Sequence, residues 1–324
     1  MKILQNTSVS KRSIMPRQSF VLTVAFTLFA CIGWNYRSSS GNVPALNLWK
    51  SDNAIVDKPI PAHEPAPNFR TQLNDSLPGV NKTVALDYYY NCEWKQAGEK
   101  KVQYHYVWED TANSGFSDLG KVIVGLGARI VRSPEAPTAQ FLKRCSVYII
   151  VDPDTPDETE HPHYIEDSDA EVIAGWVKDG GTLVLMGNDK GNAEFDHLNR
   201  LSGYFGIHFN EDSYHRVVGN QFDEGKFSSL PDHPMFAGVQ QIYLKEICSL
   251  GLQMPAEPIL SEGGHVFMAC SHYGKGLVFA VGDPWLYNEY VNGRKLPPSY
   301  KNLKAGENLF RWLLEQSAPI VNSR

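Results

Sequence analysis

The chain has 324 residues, 42% of them hydrophobic and 20% charged, with a formal net charge of −6. This is ordinary globular composition, and mixed charges without a basic stripe exclude the electrostatic footprint of a nucleic-acid binder. The five cysteines, Cys31, Cys92, Cys145, Cys248 and Cys270, show no C-x-x-C spacing, which excludes a zinc site of that kind.

Residues 1–36 open with Lys2, Lys11, Arg12 and Arg17 and no acid, followed by an apolar run from Phe20 to Trp34. A basic stretch before a short apolar one predicts a secretory route, leaving the protein periplasmic, held at the cell envelope or secreted. Three fates stay open: a cleaved signal, a lipid anchor at Cys31, or a retained membrane anchor. Residues 37–81, with Ser38-Ser39-Ser40-Gly41 and Pro59, Pro61, Pro65 and Pro67, read as a linker. A folded domain is expected over 82–318, with a tail at 319–324.

The domain predicts a strand from Thr83, then a long polar-aromatic loop from Asn91. An amphipathic helix over Phe116–Gly127 follows, then a strand over Ala128–Arg132 and a short helix over Pro137–Arg144. Ser146–Val151 is an apolar run that reads as a buried strand, and a helix capped by Ser168 or Asp167 spans Asp167–Asp179. Thr182–Met186 is a second buried strand, bounded by glycines, and a helix capped by Asn192 runs on from Glu194 to Ile207. This alternation argues for a mostly parallel, doubly wound α/β sheet. Beyond His208 the rhythm changes: strands at Ile242–Leu250, Pro258–Ser261, His265–Ala269 and Gly276–Val281 follow closely. Gly263-Gly264 and Gly274-Lys275-Gly276 signal hairpins between them, so an antiparallel C-terminal extension is expected. A helix over Glu307–Glu315 closes the domain, and Cys145 and Cys270 read as core residues.

Four loops follow predicted strands and are expected to meet at one sheet edge. They begin at Asn91, Asp152, Gly187 and Gly282. As ligand-binding candidates they supply Asn91, Trp108, Glu109, Asp152, Asp154, Asn188, Asn192, His197, Trp285, Tyr287, Asn288 and Arg294. Asp189 with Glu194, and Asp283 with Glu289, are the carboxylate pairs that glycoside hydrolysis would require. Amides and acids bond hydroxyls, and an aromatic face such as Trp285 covers the apolar side of a sugar. Each residue has a plainer reading as a turn former; the convergence of the loops favours a site. Asp152-x-Asp154 with Asp157 and Glu158 offers oxygen ligands to calcium, but Pro156 occupies a ligand position, so no metal and no cofactor is assigned. No P-loop, dinucleotide fingerprint or G-x-S-x-G elbow is present; the elbow position reads Met186-Gly187-Asn188-Asp189.

The strand order, the turn from His233-Pro234 to Gly238-Val239, and the ending Gly274-Lys275-Gly276…Gly282-Asp283 resemble the class I glutamine-amidotransferase-like (flavodoxin-like) fold, including its trehalose-utilisation-type members. More specifically, WEDTANSGFSDLG, YIIVDPDTPDET, MGNDKGNAEFDHLN and GDPWLYNEYVNGRKLP resemble a domain found C-terminal to bacterial unsaturated rhamnogalacturonyl hydrolases. The resemblance covers about Lys82–Leu314. It implies a setting, the breakdown of pectin-like, uronic-acid-containing polysaccharides outside the cytoplasm, with an oligosaccharide or polysaccharide ligand. It implies no glutamine hydrolysis, because the amidotransferase cysteine is absent, and it carries over no hydrolase residues. If the domain is an enzyme, glycoside hydrolysis is the expected reaction. The alternative is a non-catalytic domain that assembles or anchors polysaccharide-degrading enzymes, with its aromatics as a docking face.

Overall fold

The computed structural model of the chain describes residues 77–319. The signal or anchor segment with Cys31, most of the linker and all but the first tail residue lie outside the described residues. From its start the domain runs β1 (Thr83–Asp87), a hairpin of β2 (Trp94–Ala97) and β3 (Lys100–Gln103), α1 (Ser117–Gly125), β4 (Arg129–Ser133), α2 (Ala139–Leu142), β5 (Val147–Val151), α3 (Asp167–Lys178), β6 (Thr182–Met186) and α4 (Phe195–Gly203). The second half runs β7 (Ile207–Phe209), β8 (Lys226–Phe227), β9 (Ile242–Tyr243), β10 (Leu250–Leu252), β11 (Ala256–Glu262), β12 (His265–Tyr273), β13 (Gly276–Val281), α5 (Asn288–Val291) and α6 (Asn302–Gln316).

The main sheet has the order β4-β1-β5-β6-β13-β12-β10-β7, with β11 also paired to β12. Its first five strands are parallel, and β12, β11 and β7 join by antiparallel pairing. In chain order the parallel strands lie second, first, third, fourth, fifth. This is the flavodoxin-like doubly wound order, with its switch point between β1 and β5.

The apolar strands are continuous because both faces are covered. Successive residues alternate between two cores. Val147, Ile149, Val151, Val184, Met186, Phe279 and Val281 pack with Ile123 of α1 and Leu309, Phe310 and Leu313 of α6. Tyr148, Ile150, Leu183, Leu185, Val278 and Ala280 pack with Ile173 and Val177 of α3 and Leu198 and Leu201 of α4. Each fully buried aliphatic side chain contributes roughly 1.5–3 kcal/mol, so the sheet is the rigid part of the molecule.

Several element ends differ from the sequence reading. The α3 cap is Glu166, reciprocated by Asp169, in place of Ser168 or Asp167. The α4 cap is Glu194, which accepts from the His197 N–H, in place of Asn192. That helix stops at Gly203 because Gly206 turns at φ +74°, and a Cβ there would sit 2.2 Å from the Gln253 carbonyl oxygen. The stretch from Ile242 to Leu250 is two strands, broken where Glu246 takes φ +48°. Both predicted hairpin turns form: Gly263, Gly264 and Gly274 all have positive φ. The β2–β3 hairpin sits within the stretch read as loop, since its strands are mostly exposed and polar.

Candidate functional site

At the carboxyl edge of the parallel strands the loops enclose a cleft of about 220 Å³. Asp152 follows β5, Asn188 and Asn192 follow β6, and Asp283 and Tyr287 follow β13. The loop after β3 adds His105 and Tyr106, the β5 loop adds Glu158 at the mouth, and the segment after β9 adds Lys245 and Glu246. Asp152, Asp283, Tyr106 and Tyr287 are buried and form the floor.

Backbone strain gathers here. Of the six non-glycine residues with positive φ among the described residues, His105 (+56°), Tyr106 (+44°), Asp152 (+46°) and Glu246 (+48°) line this cleft. Such conformations cost on the order of 1 kcal/mol each and persist where surrounding structure overdetermines them. Asp152 is the clearest case. Its N–H still donates to the Met186 carbonyl at 2.8 Å, extending the ladder one residue past β5, and the chain then turns sharply. The sequence placed the elbow position after β6; the strained residue stands after β5. Aspartate tolerates the left-handed region better than most residues.

Asp152 Oδ2 accepts from Asn188 Nδ2 at 3.1 Å, while its Oδ1 is buried without a partner. Burial, then the charge of Glu158, holds this carboxyl well above its ordinary range, against the Asn188 bond. Asp283 Oδ2 accepts from the Lys245 N–H at 3.0 Å. Burial pushes its carboxyl up to about 8, with Lys245 opposing and Asp189 and Glu246 adding to the rise. Asp283 thus holds its proton toward neutral pH and Asp152 is shifted in the same direction, which is what a hydrogen-bond donor or general acid needs.

The structure brings together only part of the sequence-predicted set. Asp152, Asn188, Asn192, Asp283 and Tyr287 line the cleft. Asn91 and Asp154 stand behind it: Asn91 Nδ2 donates to the Asp152 carbonyl at 3.0 Å, and Asp154 Oδ2 accepts from the Cys92 N–H at 3.0 Å. The remaining candidates have structural work elsewhere. Asp189 is saturated, accepting from Asn192 Nδ2 and Ser213 Oγ, each at 2.6 Å. Glu194 caps α4 and holds His197 Nδ1 at 2.9 Å, and the His197 ring stacks on Tyr164. Glu289 pairs with Lys295 at 3.1 Å. Neither carboxylate pair proposed from sequence thus faces the cleft as a pair.

Trp285 is completely buried, which removes it as a stacking surface. Trp108 is likewise core, its Nε1 donating to the Val131 carbonyl at 3.1 Å. Asn288 is a clamp: its Nδ2 donates to the Asp110 and Ala112 carbonyls, and its Oδ1 accepts from the Asp118 N–H. Glu109 accepts from the Tyr88 hydroxyl, and Arg294 donates to the Thr111 carbonyl. The sequence-based candidate list lacks Glu158, Lys245, Glu246, His105 and Tyr106. The first lay in the acidic stretch after β5 and the last two in the polar-aromatic loop, but nothing local marks Lys245 and Glu246, which arrive from the antiparallel half. Cys248 packs under Gly187 and Gly282, and burial pushes its thiol well above the ordinary range, so it supplies no nucleophile.

The chain matches no family model and no curated protein. Among solved structures it is similar to the mmIFT52 N-terminal domain, with 18% identity and a TM-score of 0.55 over 72% of this chain and 97% of that one. A protein from Bacteroides uniformis ATCC 8492 described as ThuA-like aligns with 13% identity and a TM-score of 0.42, over 72% of this chain and 92% of its own. A β-galactosidase from Rahnella sp. R3 aligns with 14% identity and a TM-score of 0.43; the chain covers 31% of that enzyme. The first likeness shows a shared fold and, at this identity, nothing about activity. The fold is a flavodoxin-like, glutamine-amidotransferase-like α/β sheet with added antiparallel strands.

Proposed function

We propose that the chain is an exported carbohydrate-binding or carbohydrate-active protein whose cleft receives a single sugar unit. The observation that carries this reading is Asp152: a buried carboxyl in a left-handed turn, with one oxygen unpartnered in the wall of a small polar cleft. The volume of about 220 Å³ is below the roughly 300–1,000 Å³ of pockets for drug-sized ligands, and suits one ring. Acids and amides around it match hydroxyls, and the tyrosines Tyr106 and Tyr287 replace the tryptophans expected as apolar surface.

The setting of pectin-like, rhamnogalacturonan-type polysaccharide, drawn from the sequence resemblance, belongs to this proposal with one refinement. Asp152, Glu158, Glu246 and Asp283 face only Lys245 and His105 across the cleft. The Glu158 and Glu246 carboxylates in the lining would repel a uronate, so the unit held is one without negative charge, and uronate units stay outside. Binding comes first in this reading; a protonated Asp152 or Asp283 beside a glycosidic oxygen is the group through which cleavage would follow. The exposed large apolar residues among those described, such as Trp94, Val218 and Met254, belong to different segments and none lines the cleft. That favours the cleft over a docking face as the working surface.

Isothermal titration of the purified chain with neutral sugars and with rhamnogalacturonan oligosaccharides tests the reading. Saturable binding is expected, weakened about tenfold in Lys245→Ala by loss of one polar contact, with little change in melting temperature because that side chain's ion pair with Glu246 is partly exposed. Absence of saturable binding by any sugar overturns it.

A further inference from the structure

The polar groups left over at the Asp152 end of the cleft are all of one kind. Asn91 Oδ1, Asp152 Oδ1 and Asp154 Oδ1 are buried acceptors without donors, on side chains 2%, 4% and 1% exposed. Asp152 lines the cleft, and the other two stand behind it: Asn91 holds the Asp152 carbonyl, and the Asp154 N–H donates to the Tyr90 carbonyl at 2.9 Å. An unsatisfied buried acceptor costs about 1–3 kcal/mol, so the Asp152 oxygen, on the one side chain of the three that lines the cleft, marks a place completed by something that donates.

Charge narrows what that is. Glu93, Asp154 and Glu158 all add negative charge at Asp152. The imidazole facing them is His105, whose Nδ1 lies 2.7 Å from Glu93 Oε2. Among the described residues no lysine or arginine forms an ion pair with Asp152, Asp154 or Glu158, and Lys245 is engaged by Glu246 at 2.7 Å. Burial first, then the charge of Glu158, raises the affinity of the Asp152 carboxyl for a proton. The Tyr106 ring in the cleft wall is a further surface that attracts an organic cation.

We propose that the ligand of this cleft carries a primary ammonium group, as an amino sugar with a free amine does, and that this group settles against Asp152 and Glu158. The inference deepens the carbohydrate reading and rests on it for the sugar part alone. An ammonium donates to the Asp152 and Glu158 carboxyls, and it supplies the positive charge that no lysine or arginine among the described residues pairs to them. Its arrival ionises Asp152, so a proton leaves as it binds.

The full chain is titrated at about pH 6, where amines are protonated, with D-glucosamine, D-glucose, N-acetyl-D-glucosamine and ethanolamine. Glucosamine is expected to bind about tenfold or more tighter than glucose or N-acetylglucosamine, the worth of one charge-assisted contact. Titration in buffers of different ionisation enthalpy should show a proton released with glucosamine and none with glucose. Asp152→Asn, which tolerates the same left-handed turn, should abolish the preference together with the proton release; Glu158→Gln, at the exposed mouth, should reduce the preference without any folding defect. If glucosamine binds no tighter than glucose, the ammonium proposal fails and the sugar reading stands. If ethanolamine binds and no sugar does, the ammonium proposal stands and the sugar reading fails. If nothing binds, or if the preference survives both substitutions, the assignment to this end of the cleft is wrong.

Discussion

Asp283 shows how one buried group writes the pH behaviour of the molecule. Its carboxyl rises from an ordinary 3.8 to about 8, first by burial, while its Oδ2 is tied to the Lys245 N–H. A carboxyl whose folded-state affinity for protons exceeds its unfolded one favours the fold while protonated. That stability is fully present below about pH 4 and is lost as pH climbs toward 8. Asp283→Asn keeps the acceptor for Lys245 and cannot ionise. Its melting temperature, compared with that of the parent between these limits, should fall less as pH rises; equal slopes would show that Asp283 is already ionised in the fold. The same residue-scale view explains why Asp189, in a polar loop between Gly187 and Gly191, is a support for the loop and not a site group. Both of its oxygens are occupied by Asn192 and Ser213, a fact set by Ser213, which lies 24 positions away.

At the scale of elements, the cleft depends on how the antiparallel half is fitted to the parallel one. Past the end of β13, the strand segment around Cys248 takes its place. The Cys248 N–H donates to the Gly282 carbonyl at 3.1 Å, and the Gly282 N–H donates to the Phe267 carbonyl at 3.2 Å. A Cβ on Gly282 would lie 2.0 Å from the Cys248 carbonyl oxygen, which is backbone and cannot rotate away. Gly282→Ala should therefore force β10 and its preceding segment outward, at a cost of about 2–3 kcal/mol in chemical denaturation. Because Lys245 and Glu246 hang from that segment and Asp283 is the next residue, sugar binding should weaken with it. Unchanged stability in this variant would mean that the junction is slack. The junction explains why a stretch read as one strand, Ile242–Leu250, is broken: the chain must cross the sheet edge, and it does so at Glu246 with φ +48°.

For the whole molecule, the export proposal rests on the basic and apolar order of residues 1–36, outside the described region, and on the spacer that follows. Fractionation of the untagged chain in a bacterial host should place the domain beyond the cytoplasmic membrane; recovery from the cytoplasm with Met1 intact would contradict it. Cys31→Ala then separates the three fates, since only a lipoprotein loses an acyl label. Among the described residues no helix is long and apolar enough to cross a membrane.

The amino-acid sequence by itself determined the parallel sheet. Thr182–Met186 and Val147–Val151 are unbroken apolar runs closed by glycine or by Asp-Pro, and only strands buried on both faces read that way. With the order of strands and helices, those runs imply one edge where the loops after them meet, and Asp152, Asn188 and Asp283 meet there. The tertiary structure decided which polar residues at that edge are free to act. Asp189, Glu194 and Asn288 look no different in sequence from Asp152 and Asp283, because a cap, a clamp and a site all call for the same side chains. What separates them is whether a partner from a distant segment has claimed their oxygens. Lys245 and Glu246 were invisible for the same reason: their place in the cleft is set by the pairing of β10 with β12 and the passage of the chain over Gly282, which are long-range contacts with no local signature.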